Sequence, residues 1–385
     1  MTHNRSVEML LAVSFLAILY TVPASQLVHE LVQNETPEVF QIATQVPSEK
    51  HLRDFESNLE KSSWVAEAVR PLLQQLHFTV LRDPVNKVVL GRDGWLFYKP
   101  GVDYLIASGN EPLEANNGPN KAIHAIIEFR DQLQRQGIQL LVVPVPGKAS
   151  VYPDRLTYRA ARTEWSLRSP TLDVIDKLRE NDVETIDLFA VFLNARETDD
   201  PSADKRIYLA QDTHWSPHGV RIAAKMIANR IDRLHEIPTG NVEYQHKAVE
   251  VRRQGDIVQM MQLPIHQSNY PVEQLRCKQV IRTTDSLLYQ DEPHSPVLLL
   301  GDSFSRIYQT DEPHSAGLIA QLAYELKMPL SSIVNDGGSS TLVRQQLARQ
   351  PELLKGKKLV IWQFIERDIR FGTEGWQVIP VSSAN

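Results

Sequence analysis

The chain has 385 residues, 42% of them hydrophobic, enough to fill one large α/β core with appendages. Its 41 basic and 47 acidic residues leave a formal charge of −6, so there is no basic field to gather nucleic acid, and no nucleic-acid partner is expected. A single cysteine, Cys277, excludes an internal disulfide framework and a multi-thiolate zinc site.

Arg5 precedes a mostly apolar run over residues 9–23 (MLLAVSFLAILYTVP), which has the make-up of an export signal. The run is short for a membrane span, and Val22-Pro23-Ala24 offers a small-residue cleavage site. Against cleavage, Pro23 sits awkwardly there, and Leu27, Val28, Leu31 and Val32 prolong an amphipathic helix beyond it. Residues 1–33 are therefore expected to form an uncleaved signal anchor in the inner membrane, with a removed signal peptide as the alternative. Either reading delivers the rest of the chain to the periplasm. Residues 34–85 read as a polar linker with Pro37 and Pro47, followed by a helix over about 51–76.

A compact fold is expected from residue 86 to 375, with 376–385 as a tail. It opens at residues 87–98 (KVVLGRDGWLFY), where two β-prone halves flank Asp93-Gly94, a dipeptide suited to a tight hairpin turn with positive φ. Beyond residue 117, helical patterns over 120–136, 169–181, 217–234, 315–326 and 341–350 interleave with apolar runs at 138–145, 183–189, 296–300, 330–334 and 358–364. Continuous apolar runs suit strands covered on both faces, so the fold class is α/β, a three-layer domain around a mostly parallel sheet. Residues 237–290 fit neither pattern and read as an insertion of irregular or β structure.

Two segments carry chemistry. The run at 296–300 leads straight into Gly301-Asp302-Ser303, and ligands bind beyond the carboxyl ends of the strands in such sheets. Ser303 is there a candidate nucleophile, Gly301 leaves room for a sharp turn, and the Ser303 N–H is a candidate oxyanion donor. The plain alternative is that Asp302 or Ser303 closes a turn. Ahead of it, a strand-like run at 207–210 (IYLA) reaches Asp212-Thr213-His214-Trp215. On an extended segment residues two apart face the same side, so Asp212 is expected to orient His214, leaving the other ring nitrogen for Ser303. A metal site built on Asp212, His214 and His218 is the weaker reading, because the helix beginning at Pro217 leaves the two histidines off a common face.

Five segments in order, residues 91–98 (GRDGWLFY), 143–148 (VPVPGK), 212–215 (DTHW), 301–305 (GDSFS) and 362–368 (WQFIERD), resemble the alginate O-acetyltransferases, the SGNH-hydrolase-like proteins AlgJ and AlgX. The resemblance spans about residues 87–370. It implies an SGNH-hydrolase-like fold with Ser303 as nucleophile, His214 as base and Asp212 as its partner. It also implies an exported enzyme that puts acetyl on polysaccharide hydroxyls, supplied by a membrane-bound O-acyltransferase. Ordinary SGNH esterases carry the nucleophile early and Asp-x-x-His late; here Asp212 and His214 precede Ser303, which favours the specialised family. The chain ends soon after residue 368, where AlgX continues into a carbohydrate-binding module, so the AlgJ architecture is the closer expectation.

Lys148 is a candidate contact for an anionic sugar or a support for the site floor, and Asn335 a candidate oxyanion donor. Trp215, Arg306 and Tyr308 are candidate sugar-lining residues. Glu366, Arg367 and Asp368 are expected to form a buried ion-pair cluster that braces the site. The reading is a polysaccharide O-acetyltransferase acting through an acetyl-serine, with no cofactor. An acetylesterase with the same triad, or a non-catalytic polysaccharide-binding component of an export complex, are the alternatives.

Overall fold

The computed structural model of the chain describes residues 5–33, 87–106, 118–162, 168–197, 205–234, 240–262 and 270–381, with a few single positions between. They fall into two units, Met1–Val85 with Gln262–Ser268, and Asn86–Met261 with Asn269–Asn385. In the first, a helix spans Arg5–Val32 with Pro23 inside it. Its window Phe15–Val32, of mean hydropathy 1.3, is long and apolar enough to cross a membrane. The linker and helix expected over 34–85 lie almost wholly outside the described residues.

The second unit opens with a hairpin of β1 (Val88–Leu90) and β2 (Leu96–Tyr98), paired antiparallel. Asp93 and Gly94 take φ of 54° and 78°, the left-handed pair the turn needs. The main sheet is parallel, in the order β4 (Glu184–Thr185), β3 (Gln139–Val145), β9 (Leu359–Ile365), β7 (Val297–Gly301), β8 (Ser331–Val334). Strand side chains alternate, so each strand feeds two cores. Leu141, Val143, Leu299 and Ile361 pack on one face against the helices Pro217–Leu234 and Leu318–Leu326. Leu140, Val142, Leu298, Leu300 and Trp362 pack on the other against Pro119–Gln134, Thr171–Glu180 and Leu342–Ala348. The result is a three-layer α/β sandwich. Pro144 is tolerated in β3 because the Val142 carbonyl bonds Ile186 N across to β4, so two residues on Pro144 faces the same edge beyond the end of β4.

Three expectations need correction. The run at 183–189 yields only the two-residue β4; Asp187 Oδ1 accepts from Phe189 N at 2.8 Å and a helix begins at Leu188, running to Glu197. The run at 207–210 is no sheet strand but part of a buried loop tied by one bridge, Tyr208 to Trp215. Residues 376–381, expected as part of a tail, are docked: Trp376 packs on Trp362 and Phe364, and Val381 N donates to Gln132 at 2.6 Å. Residues 244–282, unplaced by pattern, supply two paired ten-residue strands, β5 (Tyr244–Arg253) and β6 (Glu273–Arg282).

Candidate active site

β7 is buried throughout and ends at Gly301, so the chain must turn there. A side chain on Gly301 would collide with the Ser305 hydroxyl, and its Cβ would lie 2.7 Å from that of Ser305. Asp302 then caps the helical turn Ser303–Arg306, accepting from Phe304 N at 2.9 Å. Its carboxylate also accepts from Gln363 Nε2 and Ile365 N, each at 2.9 Å, which pins the turn to the end of β9. Burial pushes the Asp302 carboxyl up against these donors and the charge of Arg367. Ser303 thus starts a rigid turn, with its N–H ahead of the helical hydrogen bonds.

The loop 209–216 brings the imidazole to this serine. His214 Nε2 lies 2.9 Å from Ser303 Oγ, and Nδ1 lies 2.6 Å from Asp212 Oδ1. The same Asp212 oxygen accepts from His214 N at 3.0 Å, so the pair arises from a tight side-chain turn rather than from an extended segment. Asp212 Oδ2 accepts from Arg253 Nε at 2.8 Å and from Asp256 N at 3.2 Å. Burial alone would raise the Asp212 carboxyl. The imidazole and the Arg253 guanidinium, with their hydrogen bonds, outweigh it and hold the group well below the usual carboxylate range.

Asp212, His214 and Asp256 present ligand atoms close enough together to hold a cation. The 2.6 Å contact between Asp212 and His214 is a direct hydrogen bond, so the triad accounts for the arrangement. His218 stands on the following helix, its Nδ1 facing Arg221 at 3.4 Å, and is not part of that group.

Lys148 is buried, not sugar-facing: its Nζ donates to the carbonyls of Leu209, Ala210 and Asp212 at 2.8, 3.0 and 2.7 Å. Burial pushes it down to about 8, against the pull of Glu273, Asp212 and Asp256. Trp215 and Tyr308 are also fully buried. The Trp215 indole donates to the Phe304 carbonyl at 3.1 Å and the Tyr308 hydroxyl to the Trp215 carbonyl at 3.2 Å. Both serve as packing beneath the triad, not as sugar platforms. Arg306 pairs with Asp311 and Asp336. Asn335 is half-buried past the end of β8, its N–H bonded to the Gly301 carbonyl at 3.0 Å.

The expected ion-pair cluster is a hydrogen-bonded hub instead. Glu366 accepts from Gly147 N at 2.5 Å, from Thr171 Oγ1 at 3.1 Å and from the Ser150 and Ser169 hydroxyls. Arg367 lies over the Tyr98 and Phe304 rings. Arg253 and Asp256, which no motif marked, complete the surroundings of the base.

The profile of the family described as "SGNH hydrolase-like domain, acetyltransferase AlgX" matches residues 88–366. The chain is similar to the "Probable alginate O-acetylase AlgJ" of Pseudomonas putida, 27% identical over 304 residues that cover 76% of this chain and 72% of that one. To the protein of the same name from Azotobacter vinelandii it is 25% identical over 323 residues, 81% of this chain and 77% of the other. Among solved structures, the O-acetyltransferase domain of Pseudomonas putida AlgJ superposes with a TM-score of 0.55 at 24% identity, over 74% of this chain and 92% of that one. Pseudomonas aeruginosa AlgX gives 0.54 at 21%, over 72% and 61%. At such identities the two superpositions speak for the fold. With the profile spanning most of the sequence and the sandwich matching, the chain belongs to the AlgJ- and AlgX-type family of SGNH hydrolase-like acetyltransferases.

Proposed function

We propose that this chain transfers acetyl groups to polysaccharide hydroxyls, with Ser303 as nucleophile, His214 as general base and Asp212 as the carboxylate that orients it. One observation carries the reading: an unbroken line from carboxylate to Nδ1 at 2.6 Å and from Nε2 to the serine hydroxyl at 2.9 Å, ending beyond the sheet's carboxyl edge. Only the His214 tautomer with its proton on Nδ1 satisfies both contacts, and that tautomer leaves Nε2 free to take the serine proton.

His214 removes the proton as Ser303 Oγ attacks the acetyl carbonyl. The Ser303 N–H, at the head of its turn and without a hydrogen-bond partner among the described residues, is the first candidate donor to the developing oxyanion, and the Asn335 amide is the second. The donor's leaving group departs with the proton from His214, giving acetyl-Ser303. A sugar hydroxyl, deprotonated by the same imidazole, then displaces the serine. Transfer outruns hydrolysis where the acceptor hydroxyl is held in reach and water is not.

The alginate O-acetylases among the relatives support alginate or a related exopolysaccharide as acceptor. The apolar helix window Phe15–Val32 supports a periplasmic enzyme anchored in the inner membrane. A membrane-bound O-acyltransferase as the source of acetyl is what the resemblance to the alginate enzymes implies. The test is mass spectrometry after exposure to 4-nitrophenyl acetate, with turnover of that ester measured alongside. Wild type should carry acetyl on Ser303, and Ser303→Ala should lose at least about 1000-fold in rate. Equal turnover by the variant would remove the triad from the mechanism, and release of acetate from acetylated polymer without transfer would favour an esterase.

A further inference from the structure

We infer that Arg253 and Asp256 are positioning residues that act as opposed electrostatic controls on His214, one restraining and the other promoting its uptake of the serine proton. The inference rests on the triad reading above and extends it to Arg253 at the end of β5 and Asp256 in the connection that follows it.

The connecting end of the hairpin, where β5 leads on towards β6, grips the catalytic loop from several sides. Arg253 is the last residue of β5, paired in register with Glu273 on β6. Glu273 accepts from Ala210 N at 3.1 Å and Gln211 N at 3.2 Å, just ahead of Asp212. Between Arg253 and Asp256, any side chain on Gly255 would run into the Gln211 carbonyl, so the connection after β5 lies directly against the loop. The two Asp212 oxygens are thereby divided: Oδ1 serves His214, while Oδ2 serves Arg253 and Asp256 N. The carboxylate cannot rotate without breaking one set.

Asp256 turns its own carboxylate toward Nδ1, the same imidazole nitrogen that bonds Asp212. Oδ1 accepts from Thr213 N at 2.7 Å, and Oδ2 holds the Thr213 hydroxyl while lying 3.6 Å from His214 Nδ1. A positive charge therefore draws on the triad carboxylate from behind, and a second negative charge faces the ring. When His214 becomes an imidazolium, Arg253 opposes the new charge and Asp256 favours it. A base tuned in this way takes up the serine proton and still releases it to the leaving group.

The other charged groups around the imidazole are Lys148 on the loop carbonyls, Glu273, Asp302 beside the nucleophile, and Arg367 over the Phe304 ring, itself 4.9 Å from the imidazole. Asp311 lies 3.7 Å from Arg253 and is tied to Arg306. These groups are common to wild type and to both variants, so opposite displacements are assigned to Arg253 and Asp256.

The experiment is the pH dependence of kcat/KM for 4-nitrophenyl acetate with the full-length protein in detergent. Arg253→Leu should move the acid limb upward by about one pH unit, and Arg253→Lys should bring it back. Asp256→Asn, which keeps shape and removes charge, should move the limb downward by about half a unit or more. Limbs that stay put, or that move in the same direction, overturn the inference, since bracing alone lowers rates without this pattern. If Arg253→Leu fails to give a cooperative melt, the near-isosteric Asp256→Asn decides by itself. Ser303→Ala in the same series separates the two readings. An active alanine variant ends the triad, whereas an inactive one with unmoved limbs ends only the role given to the hairpin.

Discussion

The Lys148 ammonium donates to the main-chain carbonyl of Asp212 at 2.7 Å, joining the segment after β3 to the loop that carries the base. It binds two further carbonyls of that loop, and the Trp95 and Phe97 rings lie under the charge at 5.6 and 5.3 Å. Lys148→Met removes the donor and leaves the Leu209 and Asp212 carbonyls without a partner among the described residues, while the Ala210 carbonyl keeps its bond from Leu96 N at 2.9 Å. Such losses cost about 2–4 kcal/mol, because the carbonyls were taken from water and regain nothing. Urea unfolding should register that drop, and ester turnover should fall with it as the His214 loop loses its anchor. Unchanged stability would mean that water or the Arg253 contacts hold the loop unaided.

The reach of sequence reading follows from what is local. Ser303 at the end of an apolar strand, and Asp212 two residues from His214, are short-range patterns, and the structure brings these three side chains together. The sheet was legible because its strands are apolar on both faces. The hairpin was not, because β5 is mostly exposed and has little buried face for alternation to mark, with Val251 its one deeply buried apolar residue. Arg253 and Asp256 were hidden for a different reason, since their partners are 41 and 43 residues away. Trp215 and Tyr308 failed differently: an aromatic beside a catalytic residue reads alike as platform or as core, and here the core claims both.

Gly301 tests how rigid the nucleophile's turn must be. A methyl group there would meet the Ser305 hydroxyl and Cβ and come within 3.0 Å of Gln363 Oε1. Those groups cannot easily yield, because Gln363 Oε1 already accepts from Ser305 Oγ at 2.6 Å and its amide holds Asp302. Gly301→Ala should cost about 1–3 kcal/mol in stability by overpacking. It should also displace Ser303 from Nε2, for a loss of about 10-fold or more in kcat with KM little changed. Full activity in the alanine variant would show a turn able to move without disturbing the 2.9 Å contact.

Asp368 makes stability depend on pH in a direction opposite to that of a paired carboxylate. It is buried, and its Oδ2 has no hydrogen-bond partner among the described residues. Burial pushes its carboxyl up to about 7, more than the nearby Arg367 charge pulls it down, and Asp302 adds to the rise. In the unfolded chain the group titrates near the ordinary value of about 3.9. Between those limits the folded protein holds a proton that the unfolded chain has released, so this residue's contribution is full at low pH and is lost as pH rises through about 7. Asp368→Asn removes the titration while keeping the shape. The variant should therefore gain on wild type as pH rises from about 4 to 8, by at most about 4 kcal/mol. Glu366, also raised by burial, bends both curves alike and drops out of the difference. Denaturant melts across that range measure it, and a gap that does not change with pH would mean that Asp368 is ionised in the folded protein throughout.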